Sequence, residues 1–452
     1  MDQRLRIREA LGLSGIPRIA AVGAGGKTTF LLKLAGEYSP NVILTTSTHF
    51  SVEEAGLVDT HIILHSQEEI DSIFQKGIHG VTMLTGEQVE DDRLAGLPMD
   101  WMDKVATWAD LANLPLLVEA DGSRRLPVKA PASHEPAIPS WVREVVVSVG
   151  LSGIGAPIDS RHVHRPELVL NLTHQEPGSI VTSHTIETLL GDPSGGLKNI
   201  PPGARKIALL NQADDELLEA AGGRIARALV DVFDSLLVAS LHEKETPIKA
   251  VFAPSGAVIL AAGKSDRFEG GNKVLLDWFG EPFVRHIAKT AVNAHLTPVF
   301  IVAGKQLNAV TQAVEGLPVV LLENHDWESG QSTSIQTGIR NLPDRVRSVI
   351  FLLADQPQVT ETLLSALIEE HRRTASPIIA PLVEERRANP VLFDRATFDH
   401  LLSLEGDTGG RAIFSKYQVD YLPWFDRLML LDVDTREDYS RLINIYGERL
   451  DV

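Results

Sequence analysis

Two glycine-bearing loops, each at the end of a short apolar run, constrain the fold of this 452-residue chain. The first, GAGGKTT at residues 23–29, follows the apolar run 16–22 and precedes the helical pattern FLLKLAGEY. The second, LAAGKSDRFEGGNK at residues 260–273, begins within the apolar run 256–263. A strand, a glycine loop and a helix in that order are typical of parallel α/β sheets. The sequence therefore predicts an α/β fold that begins twice.

Further apolar runs of strand length support this fold class. Because one hydrophobic core stops growing at about 250–300 residues, we predict two doubly wound, three-layer domains. The N-terminal one, P-loop-like, spans residues 1–250, and the C-terminal one, Rossmann-like, spans residues 253–452. The polar segment 241–256, with two prolines, separates the two places where a strand, a glycine loop and a helix begin, and we place the boundary near residue 252. The runs lie at residues 41–46, 114–120, 144–150 and 206–212, and then at 297–304, 318–324, 348–355 and 376–382.

Composition narrows the classes of function. A net charge of −18 argues against a protein that binds nucleic acid through a basic surface. The absence of cysteine excludes disulfides and thiolate metal sites. No uninterrupted apolar stretch of about 18 residues indicates a membrane span, and the N-terminus has no apolar core of signal-peptide length. We therefore expect a cytoplasmic protein whose partners are neither nucleic acid nor membrane.

The second loop has the chemistry of a triphosphate-binding turn. A glycine allows the backbone to approach a ligand closely, so that loop amides can face phosphate oxygens. Arg267 and Lys273 add two cations to the same loop, and both are predicted to be catalytic. A surface turn that happens to hold two basic residues is the alternative interpretation. The predicted nucleotide contacts of this loop are Leu260, Ala261, Ala262 and Gly263.

This segment resembles the signature of the molybdenum cofactor nucleotidyltransferases, the MobA-like NTP transferases, in which LxxGxSxRxG and a lysine open a Rossmann-like domain. The resemblance runs from Ser255 almost to the end of the chain. Later segments resemble further motifs of the family, in the family's order, and together they imply a nucleotidyltransferase. They are SGQSTSIQTGI at 329–339, LLADQPQV at 352–359, ANPVLF at 388–393, GDTGGRAIF at 406–414 and LDVDTRED at 431–438.

Carboxylates in these segments are candidate ligands for Mg²⁺, which prefers hard oxygen donors. Asp355 ends an apolar strand, where ligands collect in α/β sheets, and we predict that it is catalytic and binds the metal. Its alternative role is to cap the following helix. Asp434, beside Asp432, is predicted to be a second metal ligand, or else a cap for the terminal helix.

Other polar residues are candidates for binding nucleotide or acceptor. A helix is predicted to start at Gln331, Ser332, Thr333 and Ser334, and its exposed amides and hydroxyls could bind nucleotide. Ser334 is the predicted nucleotide contact, and plain capping of the helix is the alternative. The resemblance places acceptor contacts around Asn389 and Pro390, which otherwise read as an ordinary turn. Asp407 is predicted to contact the acceptor, or instead to pair with Arg411 one helical turn away.

The resemblance also suggests which nucleotide is used. Ala261 and Ala262 match the cytidylyl-transferring, MocA-like branch, as does the stretch 390–393, so we expect CTP as substrate and molybdopterin or Mo-molybdopterin as acceptor. The spacing from Arg267 to Lys273 is one residue longer than the family's common form. Two alternatives remain: transfer to another phosphate acceptor, and a carrier or chaperone role for a molybdenum hydroxylase.

The first loop has the context of a phosphate-binding loop, between a strand and a helix. Ala21 stands where that pattern has its first glycine. Glu119 and Asp121 follow another apolar run and are predicted to hold Mg²⁺, with a strand-terminal turn as the alternative. The loop residues predicted to bind nucleotide are Gly23, Gly25, Gly26, Lys27, Thr28 and Thr29.

We expect the nucleotide of the first half to be ATP or GTP. Asn211 and Asp214 are similar to a guanine-reading Asn-Lys-x-Asp motif, although Gln212 replaces the lysine, and they favour GTP. His162 and His164 have the spacing of a two-histidine metal site, but no third ligand is evident and a structural or substrate-contact role is preferred.

Through GAGGKTT, TTSTHF, EADGSRRLPVKAP and NQAD, residues 1–250 resemble the selenium-dependent hydroxylase accessory proteins, the YqeC-like family. That resemblance implies a molybdenum hydroxylase apoenzyme as partner.

Overall fold

In the computed structural model, which describes residues 5–13, 15–38, 40–263 and 272–450, the chain divides into two units, Met1–Phe252 and Ala253–Val452. Each unit is built on a sheet of mainly parallel strands with helices, so the predicted α/β class is confirmed. All ten apolar runs singled out in the sequence overlap a strand, and two of them, 41–46 and 144–150, coincide with one from end to end.

The strands of the first unit are β1 (Arg18–Gly23), β2 (Asn41–Thr46), β3 (Phe50–Ser51), β4 (Thr60–Ile63), β5 (Gly80–Thr85), β6 (Gln88–Glu90), β7 (Arg93–Leu94), β8 (Leu116–Glu119), β9 (Val128–Lys129), β10 (Glu144–Gly150), β11 (Val163–His164), β12 (Arg205–Asn211), β13 (Ser235–Ala239) and β14 (Ile248–Phe252). Its helices are α1 (Ile7–Leu11), α2 (Lys27–Glu37), α3 (Val52–Ala55), α4 (Glu69–Lys76), α5 (Met99–Leu111), α6 (Pro166–Thr173), α7 (Ser183–Gly191) and α8 (Glu216–Leu229), with a 3₁₀ turn at Leu151–Gly153.

The main sheet of this unit has the order β14-β13-β12-β10-β1-β8-β2-β5-β4, and its neighbours are parallel except for the pair β13 and β14. Successive residues of a strand point to opposite faces, so a sheet covered on both sides reads as a continuous apolar run. In β1, Ala20 and Val22 join one buried cluster, whereas Ile19 and Ala21 join another. Two separate cores on the two faces of one sheet give the three layers.

The polar segment 241–256 contains a strand that lies outside the predicted apolar runs. Ile248–Phe252 forms β14, the antiparallel edge strand of the first sheet. Ile248, Val251 and Phe252 are buried in it. Pro247 and Pro254 stand near its two ends and Lys249 interrupts its apolar residues, so the sequence shows no continuous apolar run there.

The strands of the second unit are β15 (Ser255–Leu260), β16 (Asp277–Trp278), β17 (Glu281–Pro282), β18 (Val299–Ala303), β19 (Val320–Glu323), β20 (Ser348–Leu353), β21 (Ile378–Val383), β22 (Arg386–Arg387), β23 (Val391–Asp394) and β24 (Val419–Pro423). Its helices are α9 (Phe283–Asn293), α10 (Leu307–Ala313), α11 (Gln331–Asn341), α12 (Glu361–Thr374), α13 (Phe398–Leu402) and α14 (Arg436–Leu450). Its 3₁₀ turns are Lys273–Leu275, Trp327–Ser329, Arg395–Thr397, Gly410–Lys416 and Arg427–Leu430.

The main sheet of the second unit runs β19-β18-β15-β20-β23-β21-β22, with β24 beside β21. Strands β15, β18, β19 and β20 are parallel, whereas β23 is antiparallel to both of its neighbours. Because β15 and β20 are adjacent and in register from Ser255 to Leu260, the loops that follow them leave the same edge of the sheet. The backbone N–H of Ala354 donates to the carbonyl of Leu260 across that edge, at 3.2 Å.

Across the described residues, none of the helices combines the length and the apolar character that crossing a bilayer requires.

Candidate active site

Three residues predicted from different motifs of the second half converge at the edge where β15 and β20 end. The ammonium Nζ of Lys273 lies 2.6 Å from Oδ2 of Asp355 and 3.0 Å from Oδ1 of Asp434. Asp355 follows β20, Lys273 opens the 3₁₀ turn after the second glycine loop, and Asp434 precedes α14. The fold therefore brings together side chains separated by up to 161 positions in the sequence.

Two glutamines hold the Asp434 segment against the loop that carries Asp355. Nε2 of Gln356 donates to Oδ1 of Asp432 at 2.9 Å. Nε2 of the buried Gln358 donates to the carbonyls of Leu428 and Leu431, at 3.2 and 2.8 Å. Sequence reasoning assigned no role to either glutamine. The available signal was their position, because two buried amides directly after an apolar strand require partners.

Lys273 carries its charge in a partly buried position between these carboxylates. Burial opposes the ammonium form, but the Asp355 and Asp434 carboxylates outweigh it and raise the pKa of Lys273. Two carboxylates that share one cation form a suitable oxygen pair for Mg²⁺, which is usually held by one or two carboxylates together with phosphates and water. No cluster of three or more metal-binding side chains occurs within the described ranges.

The glycine loop of the second unit is described only in part. Ala261 and Ala262 are buried, and the N–H of Ala261 donates to the carbonyl of Val302 at 2.9 Å. A Cβ added to Gly263 would meet no atom within 4 Å, so the chain there borders open space. Arg267 lies outside the described residues.

The start of α11 is where the sequence places it, at Gln331, but its polar groups are engaged within the protein. Ser332 Oγ donates to the carbonyl of Gly406 at 2.7 Å. Ser334 is buried and its Oγ accepts from Nδ2 of Asn324 at 2.9 Å. Thr333 Oγ1 donates to the carbonyl of Gly330 at 2.8 Å. The role of Ser334 in nucleotide binding stays a prediction.

The predicted acceptor residues lie in two places. Asn389 and Pro390, joined by a cis peptide bond, directly precede β23. Asp407 accepts from the backbone N–H of Gln331 at 3.3 Å and so caps α11. In the part of the chain that the structure describes, Asp407 forms no ion pair with Arg411, which lies in the 3₁₀ turn Gly410–Lys416. The alternative interpretation of a pair between them is therefore wrong.

In the first unit, the glycine loop (residues 23–26) leads from β1 into α2. Gly23, Gly25 and Gly26 have φ values of 93°, 75° and 122°, which favour glycine. The N–H of Gly23 donates to both oxygens of Asp121, at 3.0 and 2.9 Å, and that of Ala24 donates to the carbonyl of Ser148. Ala21 lies inside β1, paired with Glu119, so the strand continues past the position where the phosphate-loop pattern has its first glycine.

Lys27 and Thr28 face the two predicted metal ligands of this unit. Nζ of Lys27 donates to the carbonyl of Gly23 at 2.8 Å and lies 3.3 Å from Asp121 and 3.9 Å from Glu119. Thr28 Oγ1 donates to Glu119 Oε2 at 2.8 Å. Among the described residues, the backbone N–H groups of Lys27, Thr28 and Thr29 have no protein acceptor, so the first turn of α2 presents unused donors.

A row of alternating charges extends from this loop. Lys129 Nζ lies 2.7 Å from Asp121 and 3.0 Å from Glu135, and Glu135 accepts two hydrogen bonds from Arg165, at 2.7 and 2.8 Å. We call Lys27, Asp121, Lys129, Glu135 and Arg165 the charge row. Burial opposes ionisation, but Arg165 and Lys129 lower the pKa of Glu135 to about 2. The sequence assigned no role to Lys129, Glu135 or Arg165, because their partners lie up to 30 positions apart and no local pattern indicates that these charges pair.

Glu119 makes the first unit sensitive to pH. Its burial raises its pKa from 4.5 to about 7, although Lys27 and Thr28 lower it. A carboxyl whose pKa is higher in the folded state binds its proton more tightly there, so protonated Glu119 stabilises the fold. This contribution to the free energy of unfolding is complete below pH 4.5 and is lost as the pH rises through 7. We expect the free energy of unfolding of the ligand-free protein to fall by about 3 kcal/mol over that interval, at ~1.4 kcal/mol per pKa unit.

Glu119→Gln, which imitates the protonated form, should abolish that loss. Urea unfolding of both proteins at pH 5 and pH 7.5 checks this, with the other titrating groups cancelling in the comparison. Identical pH dependence of wild type and variant would contradict it.

The two histidines of RHVHRPE do not form a metal pair. His162 Nδ1 lies 2.8 Å from Asp159 Oδ1, in an exposed turn. His164 lies in β11, where burial and then the neighbouring charges of Arg165, Lys129 and Arg124 lower its pKa to about 4. Neither belongs to a group of three metal-binding side chains anywhere in the described structure.

Comparison with known proteins gives a separate match for each half. The family model described as YqeC protein matches residues 19–167, and that described as MobA-like NTP transferase domain matches residues 257–421. The uncharacterized protein YqeC of Escherichia coli (strain K12) is 28% identical over 202 residues, which are 43% of this chain and 75% of that protein.

Two further relatives are similar to about two fifths of the chain. Nicotine blue oxidoreductase of Paenarthrobacter nicotinovorans is 30% identical over 194 residues, 41% of this chain and 95% of that protein. Purine catabolism protein PucB of Bacillus subtilis (strain 168) is 30% identical over 196 residues, 40% of this chain and 93% of that protein.

Proposed function

We propose that this chain, which belongs to the MobA-like NTP transferase family and carries a YqeC domain before that part, transfers CMP from CTP to the phosphate of molybdopterin or Mo-molybdopterin. Pyrophosphate is released. The observation that carries the proposal is the convergence of Lys273, Asp355 and Asp434 at the edge where β15 and β20 end. A cation between two carboxylates at that edge suits a reaction in which phosphate charge must be neutralised.

The reaction requires alignment and neutralisation of charge, with little covalent help from the protein. An oxygen of the acceptor phosphate attacks the α-phosphorus of CTP, the bond from that phosphorus to the bridging oxygen breaks, and pyrophosphate leaves with the electron pair. Lys273 stays protonated because its pKa is raised, so its ammonium is available to a phosphate oxygen. Asp355 and Asp434 are the residues that would hold Mg²⁺. When bound, Mg²⁺ supplies charge neutralisation to the triphosphate.

The choice of CTP and of the acceptor rests on the sequence. Ala261 and Ala262, which match the cytidylyl-transferring branch, follow β15 beside the charged group. Asn389 and Pro390 stand before β23, the strand next to β20, and are proposed to contact the acceptor. Arg267, which the structure does not describe, is proposed as a further cation on the triphosphate, on the ground of its place in the motif.

For the first unit we propose an accessory role, in which a phosphate loop binds ATP or GTP during maturation of a molybdenum hydroxylase. The unused N–H groups at the start of α2 and the contact of Thr28 with Glu119 support this role. Glu119 and Asp121 would hold Mg²⁺, because both oxygen ligands adjoin the loop and Asp121 already lies beside the cation of Lys27. The apoenzyme of the hydroxylase is the proposed partner.

The experiment that tests transfer uses the full-length protein with Mg²⁺, molybdopterin and each of CTP, GTP and ATP. We expect pyrophosphate release with CTP at a rate at least about tenfold above that with GTP, since a base-reading site discriminates by at least that factor. Mass spectrometry should detect the cytosine dinucleotide of molybdopterin. Release with a sugar phosphate but not with molybdopterin would support a different acceptor, and no release with any pair would overturn the proposal.

A second candidate function comes from one relative, whose name describes an oxidoreductase acting on nicotine blue. A redox role would leave the group of Lys273, Asp355 and Asp434 without a catalytic purpose. The same preparation can be assayed for loss of nicotine blue colour with a reduced nicotinamide nucleotide. Turnover of the dye without pyrophosphate release in the first assay would favour the redox function.

A further inference from the structure

We infer that the nucleotide site of the first unit selects guanine, and that the carboxylate of Asp214 reads the base. The inference rests on the proposed function of the first unit as a nucleoside triphosphate binder, and it adds which base is bound and by which residue. It starts from the loop after β12 and the loop after β13, neither of which has a part in the transfer reaction.

Asn211 ties both of these loops to the glycine loop. Its Nδ2 donates to the carbonyl of Gly25 at 2.7 Å, and its Oδ1 accepts from the backbone N–H of Leu241 at 3.0 Å. The side chain is buried, and a Cβ on Gly26 would lie only 2.3 Å from its Nδ2. One amide therefore fixes the ends of β12 and β13 beside the loop proposed to hold phosphates. The base of a nucleotide whose phosphates bind the glycine loop would therefore lie near these two loops.

Asp214 is oriented from one side only. Its Oδ1 accepts from Ser240 Oγ at 2.8 Å and lies 3.2 Å from Nδ1 of His242. The N–H of Ala213 donates to the carbonyl of Ala239 at 2.9 Å, which fixes the backbone beneath it. Oδ2 has no hydrogen-bond partner among the residues that the structure describes, and the side chain is 40% exposed. A carboxylate with one oxygen anchored and the other available is placed to accept hydrogen bonds from a ligand.

The cluster of Ser240, His242 and Asp214 also invites a different interpretation, as a hydrolytic triad. In a triad the serine contacts the histidine and is accessible to substrate. Here Ser240 Oγ does lie 3.1 Å from His242 Nδ1, and it also lies 2.8 Å from Asp214 Oδ1, but the residue is fully buried, with 0% exposure, so no substrate can reach its hydroxyl. The histidine is the outermost member of the group. Ser240 therefore orients Asp214 and is not placed to act as a nucleophile.

The chemistry of a carboxylate selects among the purines. Guanine presents two donors side by side, N1–H and the 2-amino group, and an ionised carboxylate accepts both. Adenine presents an unprotonated ring nitrogen at position 1, whose lone pair repels the carboxylate. Xanthine carries a carbonyl oxygen in place of the 2-amino group, so it is rejected by aspartate and accepted by asparagine, which has an N–H donor to offer.

Gln212, which stands in the place of the motif's lysine, is used elsewhere. Its Oε1 accepts from Ser152 Oγ at 2.6 Å, and a Cβ on Gly150 would lie 2.1 Å from the same oxygen. The side chain is thus committed to the 3₁₀ turn after β10. Discrimination between bases is therefore assigned to Asp214 alone.

The test measures binding of the Mg²⁺ complexes of GTP, ITP, ATP and XTP to the full-length protein by calorimetry, with excess CTP present to occupy the second unit. GTP should bind about 10- to 100-fold more tightly than ATP, the discrimination that a good bidentate pair gives. ITP, which lacks the 2-amino group, should fall between them. Asp214→Asn should lose affinity for GTP and gain affinity for XTP by a similar factor.

The control is Asp231→Asn, an exposed aspartate after α8 in the same unit, which should retain the preference for GTP. A gain of XTP binding cannot come from a misfolded variant, so the exchange of specificity also reports on folding. Equal affinities for GTP and ATP, or an unchanged preference in Asp214→Asn, would overturn the inference while leaving the proposed nucleotide binding intact. Absence of binding by all four nucleotides would overturn both.

Discussion

Asp355→Asn should lower the rate of pyrophosphate release from CTP by about 1,000-fold, the order expected when a charged group that organises phosphate transfer is removed. Asparagine keeps the shape of the side chain but removes the charge that faces Lys273 at 2.6 Å. Lys273 would then pair with Asp434 alone, and the proposed Mg²⁺ site would keep one of its two carboxylates. Initial rates with saturating CTP and Mg²⁺, measured by coupled pyrophosphate detection, give the effect directly.

Two comparison variants make this result specific. Asp399→Asn changes an exposed aspartate on α13 and should leave the rate within about twofold of wild type, as surface substitutions usually do. Asp434→Asn should reduce the rate less than Asp355→Asn, because that side chain is 59% exposed and water can replace it. If Asp355→Asn kept a tenth or more of the wild-type rate, Asp355 would not serve transfer, and the carrier role would gain support.

Lys129→Met should destabilise the first unit by about 3–5 kcal/mol, the cost of breaking a buried ion pair from one side. Lys129 is buried between the carboxylates of Asp121 and Glu135. Methionine keeps most of the apolar stem but leaves two carboxylates facing each other without the cation. Amide hydrogen exchange followed by mass spectrometry should show β8 and β9 exchanging at least about 100-fold faster, as a loss of this size in opening free energy requires.

The second unit provides the internal reference for this experiment, since peptides from β15 and β20 belong to a separate core. Lys104→Met is the matched variant. Its ammonium pairs with Asp71 at 2.9 Å, but both side chains are substantially exposed, and such pairs contribute less than about 1 kcal/mol. A Lys129→Met protein as stable as Lys104→Met would show that the charge row does not hold the first unit together.

The strands were predictable because the sheets are buried on both faces. Both faces of such a strand are apolar, so the strand appears in the sequence as one continuous apolar run with clear ends. The run EVVVSVG at 144–150 coincides with β10. Strand ends also located Asp355, since a carboxylate after a buried run must lie at the sheet edge. What the sequence could not supply was the distance between Asp355, Lys273 and Asp434, because no local pattern relates positions 273 and 434.

The features that the sequence did not predict also have physical causes. Strand β14 escaped prediction because an edge strand buries fewer side chains and tolerates polar neighbours. Lys129 lies in the segment EADGSRRLPVKAP, and its importance comes from its burial between two carboxylates, which a sequence does not display. The sequence predicts available hydroxyls at the start of α11, whereas the Ser332 hydroxyl already donates to the carbonyl of Gly406, in a loop far along the chain.

The position of Lys273 has a consequence for the order in which ligands arrive. The ammonium serves as a resident counter-ion, so a divalent metal held by Asp355 and Asp434, as proposed, would have to compete with it. An ammonium released from these carboxylates would need a new anion, and an oxygen of the proposed triphosphate would provide one. Under the proposed function, metal and nucleotide would therefore bind more favourably as one complex than separately.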